Sequence, residues 1–268
     1  MTIRTLIFSV AVLGLAGSAT AQMQDNTQPT LTCNDRDGNG RLVRHCEMRE
    51  QTIAYPGQLN IDGGQNGGVQ VKGWSRADVL VRAKVDASAV TDADARALAG
   101  QIKVNVAAGQ VSSSGPETSH DQNWSVSYEI FVPHQANVQI QAHNGGVHVS
   151  DINGRLDFAT DNGGVHLARL NGHVQGKTTN GGVHIEFTGS RWEGDGMNVE
   201  TTNGGVHMSM PANYSARLET STVNGSVHAG IPMTVSGKIG RQFAANLGAG
   251  GATIHVVTTN GGVHIDQI

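Results

Sequence analysis

Aromatic residues are scarce: Phe, Tyr and Trp together make up 4% of the 268 residues. Large globular cores lean on aromatic side chains, so this shortage argues against a thick core. Basic excess is missing as well. The net charge is −4 and the pI about 6.3, which leaves no electrostatic footprint for nucleic acid. After the N-terminal apolar run, no segment approaches the roughly 20 apolar residues that a membrane-spanning helix needs. Enzyme signatures are absent too: there is no Gly-x-Ser-x-Gly elbow, no His-Glu-x-x-His and no Gly-x-x-x-x-Gly-Lys phosphate loop. Glycine is abundant instead, at 36 residues. Glycine-bearing turns between small and β-branched residues suit a thin, stacked β-structure.

The N-terminus begins Met1-Thr-Ile-Arg4, continues with an apolar run from Leu6 to Ala16, and reaches the small residues Ala19 and Ala21. This pattern predicts a secretory signal peptide over 1–21 and a periplasmic or extracellular location, with no transmembrane segment after its removal. No cysteine follows the apolar run closely, which argues against a lipid anchor. The two cysteines, Cys33 and Cys46, most simply form one disulfide in an oxidising compartment, and a free reactive pair is the alternative. They fall in an N-terminal segment, 22–56, whose first part (22–32) is expected to lack fixed structure. Between them Asp35, Asp37, Asn39 and Gly40 imitate the start of an EF-hand loop. The twelfth position, which needs a bidentate Glu, is Cys46, so calcium is not expected.

The dominant feature is a repeat. Asn144-Gly-Gly-Val147-His148 returns at Asn162, Asn180, Asn203 and Asn260, with a variant at Asn224-Gly-Ser-Val227-His228 and an upstream copy at Asn66-Gly-Gly-Val69-Gln70. The first three copies lie 18 residues apart, and Asn153-Gly and Asn171-Gly mark the half-steps. Fixed-period self-similarity signals a stacked architecture. Val147 and Val149 alternate with His148, and the pattern repeats around His166 and His184, so aliphatic residues point inward and imidazoles outward. Asn-Gly is read as the source of positive φ at a tight corner. Two strands per 18 residues give one coil of an all-β solenoid, or β-helix. An antiparallel meander would show the same period. The solenoid is preferred because complete columns of Asn, Val and His favour in-register stacking. Upstream, strands are expected near Leu59–Ile61, Val69–Val71, Val79–Val85, Ile102–Val106 and Trp124–Pro133, with one short helix after a Thr91 cap. Residues 57–268 are taken as one continuous domain, and Trp192 and Tyr214, in insertions after the third copy, mark candidate contact loops, with packing of each loop against the coil the preferred role for both residues.

Cys46-Glu-Met-Arg-Glu50, Gly73-Trp74, Ser125 to Pro133 and the Asn-Gly-Gly-Val copies together resemble the bacterial putative-adhesin domain family. The likeness runs from about Cys33 to the C-terminus. It implies an exported or envelope β-solenoid and supplies no catalytic residues to carry over.

Three readings follow. The first is a non-catalytic, adhesin-like protein that presents a flat repeat face to a glycan or protein partner and needs no cofactor. The second is a zinc- or copper-binding protein using the column His148, His166, His184, His207, His228 and His264, because neutral imidazole is a common ligand for both metals. Rings tilted toward each other across strands about 4.8 Å apart would bring two nitrogens to one ion. The third is a polysaccharide-active β-helix enzyme using Arg155, Asp157 and Asp161; against it, scattered charges on an exposed sheet are usually only a solvated surface. If the imidazoles stack, charging them together is unfavourable, and their folded pKa values should lie below the ordinary value of about 6.5.

Overall fold

The computed structural model describes residues 25, 28–33, 41–231 and 240–268. The expected signal peptide and the EF-hand-like run from Asp35 to Gly40 lie outside the described residues. In chain order the structure runs β1 (Val43–Ala54), β2 (Leu59–Asp62), β3 (Val69–Trp74), β4 (Asp78–Ala89), α1 (Asp92–Gln101), β5 (Lys103–Ala107), β6 (Gln110–Ser114) and β7 (Gln122–Pro133). Paired strands follow: β8 (Val138–Ala142) with β9 (Val147–Ser150), β10 (Asn153–Thr160) with β11 (Val165–Ala168), and β12 (Asn171–Asn180) with β13 (Val183–Glu186). Then come β14 (Gly196–Asn203), β15 (Val206–Met210), β16 (Ala216–Asn224), β17 (Val227–Ala229), β18 (Gln242–Leu247), β19 (Thr253–Asn260) and β20 (Val263–Gln267).

Two ten-stranded sheets face each other across one core. Sheet A has the order β1-β4-β7-β3-β9-β11-β13-β15-β20-β17, and sheet B the order β18-β16-β19-β14-β12-β10-β8-β2-β6-β5. Coil-to-coil pairing is parallel and in register, as in Val147 on Val165 and Val165 on Val183, so the fold is a β-solenoid and not a meander. Period-2 alternation sends Val147, Val149, Val165, Leu167, Val183 and Ile185 into the core. The upstream end differs. There β1, β4 and β7 pair antiparallel, and α1 packs on them through Ala95, Leu98 and Ala99. Thr91 caps α1 by accepting the Asp94 N–H at 3.1 Å.

The stack does not follow chain order. The coil β19–β20 sits between β14–β15 and β16–β17, so residues 253–267 fill an interior level and 216–229 the outer one. Strand β18 then pairs antiparallel on β16 at the edge of sheet B. Trp192 and Tyr214 take the packing role preferred for them: both are buried beside Phe187, with ring centroids 6.2 and 5.3 Å from it. Trp192 Nε1 also donates to the Gly172 carbonyl at 3.0 Å.

The Asn-Gly-Gly corner is built by contact between coils. A Cβ on Gly163 would lie 2.1 Å from the Gly145 carbonyl oxygen, and Gly145, Gly181, Gly204, Gly225 and Gly261 face the same clash at 2.0–2.2 Å. None of these corner glycines has a positive φ, which corrects the expectation from turn chemistry; among the Asn-Gly half-steps, Gly172 does adopt one, at 90°. Side chains then lock the register. Each Asn Nδ2 donates to the Asn Oδ1 of the neighbouring coil through the series 224, 260, 203, 180, 162, 144 and 66, at 2.7–3.2 Å. Buried Thr160, Thr178, Thr201, Thr222 and Thr258 each donate to a corner glycine carbonyl at 2.7–3.0 Å. The second glycine is not confined in this way, since a Cβ on Gly164 would be 3.7 Å from its nearest neighbour. Accordingly Gly163→Ala should lower stability by about 3 kcal/mol or more through overpacking. Gly164→Ala should change it by less than about 1 kcal/mol. Urea unfolding of both variants checks this contrast; equal losses would contradict it.

Candidate functional site

The outer face of sheet A carries one side-chain row across all ten strands. Pairing register aligns Glu50, Arg82, Glu129 and Gln70, then His148, His166, His184, His207, His264 and His228. The six imidazoles predicted from the repeat are therefore contiguous in space. His148, His166 and His184 stack nearly parallel, with centroids 5.7 and 5.8 Å apart and interplanar angles of 3° and 8°. His184 and His207 stack at 5.0 Å, and His228 and His264 at 5.2 Å. Between the two groups, His207 Nε2 reaches Asp266 Oδ2 at 3.1 Å. Parallel rings at these spacings are not tilted toward a shared ion, which would need ligand nitrogens roughly 3.3 Å apart. Among the described residues no three His, Cys, Asp or Glu side chains are grouped to hold a metal.

At the charged end of the row Glu50 is exposed, and Arg82 and Glu129 are covered. Glu129 is fully buried and accepts from Lys72 Nζ at 2.7 Å, from the Thr30 N–H and hydroxyl at 2.8 Å each, from the Leu31 N–H at 3.1 Å, and from Arg82. Arg82 also bonds Glu50 at 2.7 Å and the Leu31 carbonyl at 3.0 Å. Burial alone would raise the Glu129 pKa; the bonds from Lys72, Thr30 and Leu31 outweigh it and hold the carboxyl at about 2. Residues 30 and 31, expected to lack fixed structure, are thus pinned on the sheet. The Cys33–Cys46 disulfide ties this segment to β1. The sequence offered one signal for the cluster, a lone Glu among the alternating residues of β7, and that signal is too weak to be read alone.

The residues of the polysaccharide-enzyme reading do not converge. Arg155 and Asp157 form an ion pair with each other on sheet B, at 2.6 Å. Asp161 sits at the Asn corner, bonded to His143 Nδ1 at 2.6 Å.

The sequence profile of the Toastrack DUF4097 family matches residues 55–266. The chain belongs to that family. The match agrees with the putative-adhesin resemblance read from the Asn-Gly-Gly-Val copies. No curated protein matches this Toastrack chain in sequence. Among solved structures, a "putative cell adhesion protein" from Clostridium sporogenes is 12% identical, with a TM-score of 0.43, covering 84% of this chain and 100% of its own. A "putative adhesin" from Bacteroides fragilis is 12% identical, with a TM-score of 0.31 and coverages of 84% and 97%. A "putative adhesin" from Parabacteroides merdae is 9% identical, with a TM-score of 0.32 and coverages of 87% and 98%. Those names belong to those proteins, and scores this low transfer nothing to the Toastrack chain.

Electrostatics along the row set a pH dependence. Desolvation, then the charge of His166, holds His148 below the ordinary imidazole pKa. Desolvation, then His207 and His166, does the same for His184. With the folded pKa depressed, the unfolded chain takes up protons first. The neutral rings' contribution is complete above the unfolded value of about 6.5 and is lost as pH falls through it toward the lower folded values. Glu129 stays ionised throughout that window. The Toastrack chain should therefore melt at a lower temperature near pH 5 than near pH 7.5, and His148→Gln/His184→Gln should reduce the difference. Calorimetry across that range decides, and an unchanged difference in the double variant would count against the assignment. Glu129→Ala strands Lys72 and Arg82 without their shared counter-ion and should cost about 3–5 kcal/mol, measured by denaturant unfolding; a loss under about 1 kcal/mol would refute the role given to Glu129.

Proposed function

We propose that this protein is a non-catalytic, exported β-solenoid that presents the histidine face of sheet A to an extended glycan or protein partner in the envelope or outside the cell. The observation carrying this reading is the repetition itself: one side-chain type at one register position on six neighbouring parallel strands, exposed at every level but the half-buried His207. A strip with a step of about 4.8 Å matches a partner that is itself long and repetitive better than a small compact ligand. The imidazoles are not needed for stacking, since Gln70 holds the same position in the coil β2–β3 and the Asn, Thr and Gly columns supply the register. The mutual pairing of Arg155 with Asp157 and of Asp161 with His143 supports a binding role over catalysis. The Cys33–Cys46 disulfide supports an oxidising compartment.

The test is binding to arrayed glycans and surface polymers at neutral and mildly acidic pH, with wild type beside His166→Gln/His184→Gln. Glutamine is chosen because Gln70 already occupies the row. Binding that weakens at least about tenfold in the variant, a loss of about 1.4 kcal/mol, supports the reading. Binding that is unchanged in the variant, or release of new reducing ends from a polysaccharide, overturns it.

A further inference from the structure

The row on sheet A changes character along its length. At one end Arg82 and Lys72 balance buried Glu129, beneath residues 30 and 31, and exposed Glu50 beside it. At the other, six imidazoles lie side by side over five strand spacings, about 24 Å, and are mostly exposed. Building on the reading above, we propose that this histidine strip is an acid-gated binding site for an acidic polysaccharide, a uronate-bearing chain whose carboxylates pair with imidazolium rings.

The charged groups around the strip give the gate its sign. Two residues further along the same strands, the outer face carries Ser150, Glu186, Ser209 and Asp266. Asp266 meets His207 at 3.1 Å, and Glu186 meets Arg169 at 3.6 Å. Arg169 is held mainly by both oxygens of buried Asp151, at 2.7 and 2.8 Å. On the flanks, Gln70 is uncharged, Ser226 Oγ lies 3.0 Å from His228 Nε2, and Lys72 is engaged with Glu129. With neutral rings, Glu186 and Asp266 dominate the strip and repel a polyanion. Protonation reverses that sign. Imidazolium rings 5.0–5.8 Å apart also repel one another, and a polymer carrying a carboxylate on each sugar relieves this repulsion. Proton uptake and polymer binding therefore reinforce each other.

The same two carboxylates select the polymer. They only accept hydrogen bonds. Sugar hydroxyls can donate to them, while a polyphosphate chain offers no donor and meets two negative charges. The strip thus favours an anionic chain that also bears hydroxyls.

The experiment is a titration of the full chain with oligogalacturonate, its methyl ester and polyphosphate. It is run near pH 5 and near pH 7.5, on either side of the ordinary imidazole pKa of about 6.5, with a chelator present. Oligogalacturonate should bind at least about tenfold more tightly near pH 5, the methyl ester should show no acid gain, and polyphosphate should bind more weakly than the uronate. His166→Gln/His184→Gln should lose the acid gain while keeping its melting temperature near pH 7.5. Glu186→Gln/Asp266→Asn, an independent variant, should strengthen uronate binding near pH 7.5. Equal uronate affinity at both pH values, an ester that matches the acid, tighter polyphosphate binding, or an acid gain that survives the histidine changes overturns the proposal. If uronate and ester bind through the row alike at both pH values, the acid gate fails and the flat-face reading stands. If no polymer binds through the row at either pH, both fail.

Discussion

Where the chain turns at Asn-Gly-Gly, the backbone of one coil lies against the backbone of the next so closely that no side chain fits between them. That contact sets the level of each coil relative to its neighbour, and the other columns depend on the level. Asparagine amides meet head to tail only because successive corners superimpose, and threonine hydroxyls reach glycine carbonyls for the same reason. The aliphatic and imidazole columns follow by alternation, inward and outward. A stack fixed this way needs few aromatic side chains, which accounts for the composition.

Sheet A carries one side-chain row over two kinds of surface. Under residues 30 and 31 the row position holds ions, which a buried site tolerates only when every charge is matched. The N-terminal segment completes the matching by donating two backbone N–H groups to Glu129, and its disulfide keeps it within reach of β1. Past Gln70 the position holds residues that water can reach. The row is thus divided by its cover, at the place where pairing passes from antiparallel to parallel.

Much of this was legible in the sequence because the signals are local or periodic. The coil period, the inward Val and outward His, the Thr91 cap and the Cys33–Cys46 pair all appear as expected. A contiguous imidazole column follows directly once stacking is parallel. Other features depend on what a residue meets across the stack. The corner glycine looks the same whether it serves φ or close approach, and only the neighbouring carbonyl distinguishes the two. The threonine two positions before the corner asparagine recurs in five copies, but its role is not legible in the sequence, because its bond is to another coil. For Trp192 and Tyr214 the sequence supports packing against the coil, but their shared partner Phe187 emerges only from the stack. Strand β1 is not legible in the sequence because its alternation is broken by charges that pair across β4, as Arg44 does with Asp86.

The order of the levels was hidden for a related reason: coils bearing the same motif present interchangeable edges. Residues 253–267 take an interior level that residues 216–229 could in principle have occupied. During synthesis, the earlier of these coils emerges before its native neighbour exists. It must either wait unpaired or settle temporarily on β14 and β15 and then give way. Repeat proteins that stack in chain order can fold by adding each level to the one before it. This chain cannot complete its outer level that way, and its assembly is tied to the arrival of a segment made later.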